Sequence, residues 1–232
     1  MTRAAASASP ARTGARRIAL LGAGRTGKSW LAQELATHLR ACGLAALAIP
    51  EPLQKRGALA GPMAAPGELL ALAEEQERRF DAAAAQAAFV IADTTALMVA
   101  VHASRLAQDA ALYRFALDRQ RTYDATLLTG LDLAWAPDDP RHEAAAREAV
   151  DLRVRQLLQE AGVPYQVVYG QGGQRLQSAL QSLAAGGLLP PALRADEAAP
   201  GAGGAGWVWV CDKCSDPGCE HRLFTKLRDA RP

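Results

Sequence analysis

One octapeptide, GAGRTGKS at residues 22–29, limits the fold of this chain more than any other feature. It fits the pattern G-x-x-x-x-G-K-[ST]. The apolar run Ile18–Leu21 before it predicts a buried strand, and the amphipathic segment Trp30–Leu39 after it predicts a helix. In this order, the backbone N–H groups of the loop and the positive end of the helix dipole converge on one point. The segment is therefore predicted to bind phosphate groups, and a chance glycine-rich turn is the less favoured alternative.

All eight residues of this phosphate loop are candidate ligands of a nucleotide: Gly22, Ala23, Gly24, Arg25, Thr26, Gly27, Lys28 and Ser29. Lys28 is expected to contact the β- and γ-phosphates, and Ser29 is expected to place its hydroxyl on Mg²⁺. The motif assigns no role to Arg25.

The composition disfavours nucleic acid and membranes as partners. The formal net charge is only +2 over 232 residues, so no strong field attracts polyanions or lipid surfaces. The apolar stretch Ala82–Val101 contains Asp93 and is interpreted as a buried strand followed by a helix, because a charge is costly in lipid. A soluble, cytoplasmic protein is expected. Residues 1–15 are rich in Ala, Ser and Arg and are predicted to be disordered, with a transit peptide as the disfavoured alternative.

Short apolar runs alternate with helical patterns along residues 16–186. Strands are predicted at about 17–21, 45–49, 89–92, 125–128 and 165–169, and helices at about 28–41, 68–87, 104–118, 142–161 and 174–185. This alternation predicts an α/β domain in which a parallel five-stranded sheet lies between two layers of helices. The composition then shifts to Gly, Ala and Pro at residues 187–206, which predicts a linker before a separate tail at 207–232.

Acidic residues follow two of the predicted strands. In open parallel sheets, ligands bind at the carboxyl ends of the strands, so these residues are candidate site residues. Asp93 follows the third strand and is predicted to hold the metal through water, with a helix N-cap as a compatible alternative. Glu51 follows the second strand and is predicted to accept or orient the proton of a substrate hydroxyl, against the alternative of a solvated loop residue.

A polar, proline-bearing loop at residues 134–141 follows the fourth strand and is interpreted as a lid. Arg141 is predicted to close over the phosphates and stabilise charge during transfer, with an ordinary surface arginine as the equal alternative. Trp135 is predicted to stack on an aromatic ring of a substrate, with plain packing of the lid as the equal alternative.

The tail carries a set of residues suited to zinc. Cys211, Cys214, Cys219 and His221 offer three thiolates and one imidazole, which is a known tetrahedral set, and the C-x-x-C turn directs two sulfurs at one ion. A segment this short has no core of its own, so a structural Zn²⁺ could supply the missing stability. Free thiols in a flexible tail are the alternative.

Several segments together resemble the P-loop kinase domain of NadR-type nicotinamide riboside kinases and related AAA-family ATPases. They are GAGRTGKS, IPEPLQKR, IADTTAL, YDATLLTGLDLAWAPDDPR and VVYGQGGQRL, and they span roughly residues 16–185. The resemblance implies a P-loop NTPase-like fold and the transfer of the ATP γ-phosphoryl group to the ribose 5′-hydroxyl of nicotinamide riboside. No H-x-G-H signature of a nucleotidyltransferase is present among the four histidines, so adenylyl transfer is not expected.

The resemblance also implies roles for individual residues. Glu51 matches a ribose-binding acid, Trp135 and Asp138 would lie near the substrate, and Arg175, in the segment Gly170–Arg175, would belong to the adenine edge. Two departures from the pattern concern the phosphate loop and the acceptor. Gly24-Arg25 stand where relatives often carry a Glu-Ser pair, and Pro52 follows Glu51 where relatives often have an aromatic residue.

Two functions follow. The first is a small-molecule kinase with a nucleoside substrate. The second is an ATP-binding regulatory module whose zinc tail docks a protein or nucleic acid. Glu51 and the lid favour the enzyme, because a purely regulatory ATP site needs neither.

Overall fold

The structure, a computed structural model, describes residues 14–51, 66–103, 110–133, 144–190 and 193. The chain divides into two units, Met1–Arg194 and Ala195–Pro232, and all described residues lie in the first. The described strands are β1 Arg16–Leu21, β2 Ala46–Ile49, β3 Phe89–Asp93, β4 Ala125–Thr129 and β5 Gln166–Val168. The described helices are α1 Lys28–Ala41, α2 Pro66–Ala84, α3 Ala96–Ala103, α4 Ala110–Gln120, α5 Ala144–Glu160 and α6 Gly173–Ala185.

The five strands form one parallel sheet in the order β2-β3-β1-β4-β5. From β1 the chain runs through α1 to β2 at one edge, and from β3 it later crosses to β4 on the other side of β1. Connections therefore leave in opposite directions around β1, which opens a crevice at its carboxyl end. The phosphate loop begins at that end, so the topology places it at the usual ligand position of such a sheet.

The two faces of the sheet are covered by different helices. Ile18 and Leu20 of β1 pack against α1 and α6, whereas Leu21 packs against α3 and α5. Alternate residues of a strand point to opposite faces, so a strand covered on both sides becomes apolar throughout. This is why the apolar run before the phosphate loop shows no alternation of polarity. The predicted three-layer α/β/α fold with five parallel strands is confirmed.

The interpretation of Ala82–Val101 as a strand followed by a helix agrees with β3 and α3, but α3 was assigned no bounds from the sequence. The prediction placed one helical region at about 104–118, whereas α3 begins at Ala96 and α4 begins at Ala110. Every residue of α3 except His102 is buried. A helix that is apolar all round has no amphipathic period, so the pattern that reveals surface helices is missing there. In the described part of the chain, no helix is both long enough and apolar enough to cross a membrane.

Candidate nucleotide-binding site

The phosphate loop lies against the end of β4. Gly22 has φ 142°, and a Cβ at this position would overlap the hydroxyl of Thr129. The Thr129 hydroxyl donates to the Leu21 carbonyl over 3.1 Å and lies 2.6 Å from the Thr26 hydroxyl, which is itself 2.8 Å from the Ala23 carbonyl. Glycine is therefore required at position 22 by the close approach of a neighbouring strand, not only by the turn.

The second half of the loop leads directly into α1. Gly27 precedes the helix in the left-handed conformation, with φ 79°. Arg25 also has a positive φ, of 58°, and its side chain is exposed. A non-glycine residue in this region costs about 1–2 kcal/mol. The loop thus keeps a strained residue at its tip.

Lys28 is a half-buried residue whose ammonium is influenced by several other charges. Its Nζ donates to the Ala23 carbonyl over 2.7 Å, so the ammonium folds back over the loop. Burial lowers the pKa of Lys28, the charges of Glu51 and Asp93 oppose that shift, and the charge of Arg147 adds to it. The ammonium is thus partly desolvated and is influenced by two carboxylates and a second cation. Such a group gains most from a bound polyanion such as a triphosphate.

Asp93 is 3% exposed at the carboxyl end of β3. Burial raises the pKa of Asp93, while hydrogen bonds from the Ser29 side chain and the Glu51 backbone, together with the charge of Lys28, act to lower it. One carboxylate therefore joins the phosphate loop to the end of β2. The structure brings together the four described residues to which the sequence assigned chemistry, namely Lys28, Ser29, Glu51 and Asp93. Their chemical roles remain predictions.

The residues present fit a magnesium ion. Oδ1 of Asp93 is buried and accepts no hydrogen bond in the structure, while the neighbouring Ser29 hydroxyl donates to the same carboxyl group. Mg²⁺ typically takes one or two protein oxygens and completes its shell with phosphates and water. Within the described ranges, no group of three or more His, Cys, Asp or Glu side chains is assembled. A carboxylate and a hydroxyl next to a phosphate site suit Mg²⁺ bound together with a nucleotide.

Arg147 of α5 was missed by the sequence analysis. It is 7% exposed, and its charge acts on Lys28. The buried residues of α5 are Arg147, Asp151, Val154, Leu157 and Leu158, so the arginine lies on the face that otherwise packs into the core. Charge in a helix is normally interpreted as solvated surface, which is why it was overlooked. Arg147 precedes Asp151 by four residues and Val154 by seven, a spacing that places all three on one face of a helix. That spacing was the available sign that Arg147 faces the core.

Arg175 of α6 supports the phosphate loop through the backbone. It is 1% exposed, and its guanidinium donates to the carbonyl of Thr26, to the carboxylate of Asp132 and, over 2.7 Å, to the carbonyl of Gly170. Asp132 in turn accepts the Gly170 N–H over 2.6 Å. Arg175 therefore ties the loops after β4 and β5 to the phosphate loop. Its assignment to the adenine edge remains a prediction.

The model of the AAA domain family matches residues 17–175, which include every element from β1 to the start of α6. The chain belongs to the AAA domain family. No curated protein matches the sequence significantly.

Solved structures share the fold of this AAA domain at low identity. NadR protein in complex with NAD and AMP-PNP matches with a TM-score of 0.56 and 16% identity, over 76% of this chain and 50% of that one. NadR protein in complex with NR matches with a TM-score of 0.53 and 15% identity, over 72% and 51%. Thymidylate kinase from Ehrlichia chaffeensis matches with a TM-score of 0.52 and 15% identity, over 73% and 99%. The chain thus spans about half the length of the NadR chains that it matches, and these likenesses establish a P-loop kinase-like fold.

The remaining predicted site residues of the AAA domain and its tail lie outside the described residues. They are Trp135, Asp138, Arg141, Cys211, Cys214, Cys219 and His221. Stacking by Trp135, substrate binding by Asp138, charge stabilisation by Arg141 and the zinc set of the tail therefore remain predictions.

Replacing Arg175 by methionine is expected to destabilise the AAA domain and weaken its nucleotide binding together. The change leaves the buried carbonyl of Thr26 and the partly buried carbonyl of Gly170 without the guanidinium donor, which we expect to cost about 3 kcal/mol. For a domain of this size, that corresponds to a fall in Tm of about 10 °C. Thermal unfolding with and without an ATP analogue measures both effects.

Arg155→Met is the matched control, because Arg155 pairs with Asp151 over 2.6 Å on α5. Equal falls in Tm for the two variants would contradict the special role of Arg175.

Proposed function

We propose that this AAA domain is an ATP-dependent kinase of a small nucleoside, and that its acceptor is the ribose 5′-hydroxyl of nicotinamide riboside. The observation that carries the proposal is the linked group at the carboxyl end of the sheet, where Asp93 accepts hydrogen bonds from Ser29 and from the backbone of Glu51 beside the Lys28 ammonium. A site that only binds ATP needs the phosphate loop and a metal ligand. The additional acid, Glu51, next to the phosphate position is what a transfer reaction requires.

The chain's own residues can perform the steps of such a transfer. Lys28 would move from the Ala23 carbonyl to the phosphates, while Ser29 and Asp93 would hold Mg²⁺, which supplies neutralisation of phosphate charge when it is bound. Glu51 would orient the acceptor hydroxyl and accept its proton as the new O–P bond forms, while the bond between the γ-phosphorus and the β,γ-bridging oxygen of ATP breaks and ADP leaves. Arg147 and Arg141 are the candidate cations for the transferred group. Because phosphoryl transfer needs little covalent help from the protein, positioning and charge account for most of the rate enhancement.

Support for the acceptor comes from the sequence resemblance and from the likeness to NadR structures, two of which were solved with NR or with NAD and AMP-PNP. In this proposal, Trp135 stacks on the nicotinamide ring and Asp138 binds the ribose. The product would be nicotinamide mononucleotide, which places the protein in NAD salvage. Thymidylate kinase shares the fold at similar identity, so the acceptor must be tested against other nucleosides and nucleotides.

A screen of acceptors tests the proposal directly. The full chain is incubated with ATP and Mg²⁺, and ADP release is measured with nicotinamide riboside, the common nucleosides and thymidylate. In parallel, each acceptor is added with an ATP analogue and the Tm is recorded, because a ligand that binds only the folded state raises the Tm. We expect nicotinamide riboside to give the fastest ADP release and the largest rise in Tm.

Glu51→Gln should lose the acceptor-dependent ADP release and keep the rise in Tm that the ATP analogue produces. A larger rate with another acceptor would refute the nicotinamide riboside assignment, and no stimulation by any acceptor would refute the kinase.

A further inference from the structure

The turn after β3 holds its backbone in an unfavourable conformation. Thr94, which directly follows Asp93, has φ 69° and is one of two non-glycine residues with a positive φ in the described ranges. A β-branched side chain is rarely found there, because its Cβ substituents crowd the backbone. Such a conformation persists only where the surroundings hold it, and it is concentrated at functional sites. The contacts of Thr94 therefore indicate what keeps Asp93 in place.

Both the backbone N–H and the backbone carbonyl of Thr94 are hydrogen-bonded. Its N–H donates to the Leu20 carbonyl of β1 over 3.1 Å. Its carbonyl accepts a hydrogen bond of 2.8 Å from Nε2 of Gln76 on α2, and the same nitrogen lies 3.3 Å from the Thr94 hydroxyl. Gln76 is 3% exposed. Because a carbonyl oxygen can only accept, these contacts define which end of the Gln76 amide faces the turn.

The same helix supports the following residue as well. Glu77, next to Gln76 on α2, accepts the N–H of Ala96 over 3.2 Å at the start of α3. Gln76 and Glu77 therefore hold consecutive parts of one turn. Their functions differ, since Glu77 satisfies a helix end whereas Gln76 restrains the strained residue beside the site.

We propose that Gln76 is a positioning residue that orients Asp93 toward the Mg²⁺ of the bound nucleotide by holding Thr94 in its left-handed conformation. This inference rests on the metal-binding part of the proposed function. If the Gln76 bond is lost, Thr94 can relax toward an ordinary φ, and the direction of the neighbouring Asp93 carboxyl changes with it. Asp93 then loses its alignment with Ser29, which donates to it. Partners that orient a metal ligand typically matter about 10–100-fold for metal affinity or activity.

Binding of a non-hydrolysable ATP analogue with and without Mg²⁺ tests this role in the full chain. Gln76→Met keeps the volume and removes the hydrogen bond, and Gln76→Glu keeps a polar group of the same shape that, when ionised, cannot donate. For both variants we expect the Mg²⁺-dependent gain in affinity, measured by calorimetry, to fall about tenfold or more. Affinity without Mg²⁺ should change by less than about threefold, because the phosphate loop itself is untouched. A parallel loss with and without Mg²⁺ would overturn the proposal.

Gln120→Met is the matched control. Gln120 is 1% exposed and also makes buried hydrogen bonds, of 2.7 Å with Thr95 and 2.9 Å with Thr126. Its hydrogen bonds go to Thr95 and Thr126 and not to the strained residue Thr94. If Gln120→Met lowers the Mg²⁺-dependent gain as much as Gln76→Met does, the effect is general loosening and the positioning role is refuted.

Failure of this inference can be told apart from failure of the kinase. Mg²⁺-dependent binding that is sensitive to Gln76, without turnover of any acceptor, would support the positioning role and refute the transfer reaction. Turnover of an acceptor that does not change when Gln76 is replaced would support the transfer reaction and refute the positioning role. A wild-type protein whose nucleotide affinity does not respond to Mg²⁺ would overturn the positioning role outright.

Discussion

Lys28→Met is expected to abolish phosphoryl transfer without destabilising the AAA domain. Removing one preorganised group that stabilises developing charge typically lowers turnover about 10²–10³-fold, and we expect a loss of at least that size. The physical reason is that methionine has neither the charge nor the donor of the Lys28 ammonium, which lies on the phosphate loop with its Nζ 2.7 Å from the Ala23 carbonyl. ADP release with saturating acceptor measures this effect.

Although Lys28→Met should lose turnover, we expect it to keep or gain thermal stability. Burial lowers the pKa of Lys28, which means that the folded protein holds the charged form at a disadvantage. Replacing it by an apolar chain of similar length should leave the Tm unchanged or raise it. Arg40→Met is the control, because Arg40 is also on α1 and donates to a backbone carbonyl, that of Ala46, over 3.1 Å. A large fall in Tm for Lys28→Met would show that the ammonium holds the loop together and would contradict this account.

Asp93→Asn is expected to produce the second largest loss. The neutral amide weakens the hold on Mg²⁺, and its NH₂ group cannot accept the hydrogen bonds that Ser29 and the Glu51 backbone donate to the carboxylate. We expect turnover to fall about 100-fold, and the Mg²⁺ concentration for half-maximal rate to rise. Turnover measured over a range of Mg²⁺ concentrations shows both changes. Asp118→Asn is the control, because Asp118 is an exposed residue of α4 that pairs with Arg121, just after the helix.

The pH dependence of stability provides an independent check on Asp93. Its pKa is raised in the folded state, chiefly by burial, so the folded protein retains this proton to higher pH than the unfolded chain does. The stabilisation that this gives is present at low pH and is lost as the pH rises through the folded pKa. Asp93→Asn also loses hydrogen bonds from Ser29 and the Glu51 backbone, so the raised pKa determines how the stability difference changes with pH and not its sign at one pH. We expect the free energy of unfolding of wild type, relative to Asp93→Asn, to fall as the pH rises through the folded pKa. A wild type whose stability relative to Asp93→Asn rises with pH across this range would contradict the raised pKa.

The fold could be predicted from the sequence because its signals are local. The strand before the phosphate loop, the loop itself and α1 follow one another without a gap, and each carries its own pattern. The bounds of α3 could not be predicted, because a segment buried on all sides has no period. Glu51 and Asp93 could be selected as site residues because parallel strands bring their carboxyl ends to the same edge.

The contacts of the supporting residues could not be predicted in the same way, although the resemblance had selected Arg175 as a site residue. Arg147, Gln76 and Arg175 reach the site from three helices on both faces of the sheet, and the relevant contacts join residues far apart in the chain. Arg175 lies 149 residues from Thr26, and Gln76 lies 18 from Thr94. A buried glutamine or arginine looks like a surface residue in a sequence, since polar side chains are mostly exposed.

The sequence by itself therefore determined that this chain has a parallel sheet with a phosphate loop at the end of β1, because spacing along the backbone decides strand, turn and helix. Only the tertiary structure decided how that loop is held. The Thr129 hydroxyl packs against Gly22, and the Arg175 guanidinium donates a hydrogen bond to the Thr26 carbonyl. The Asp93 carboxylate accepts hydrogen bonds from the Ser29 side chain and the Glu51 backbone. These contacts depend on the order of the strands and on the depth at which each side chain is buried. Hydrogen bonding and desolvation act through space, so they are defined only once the distant segments have come together.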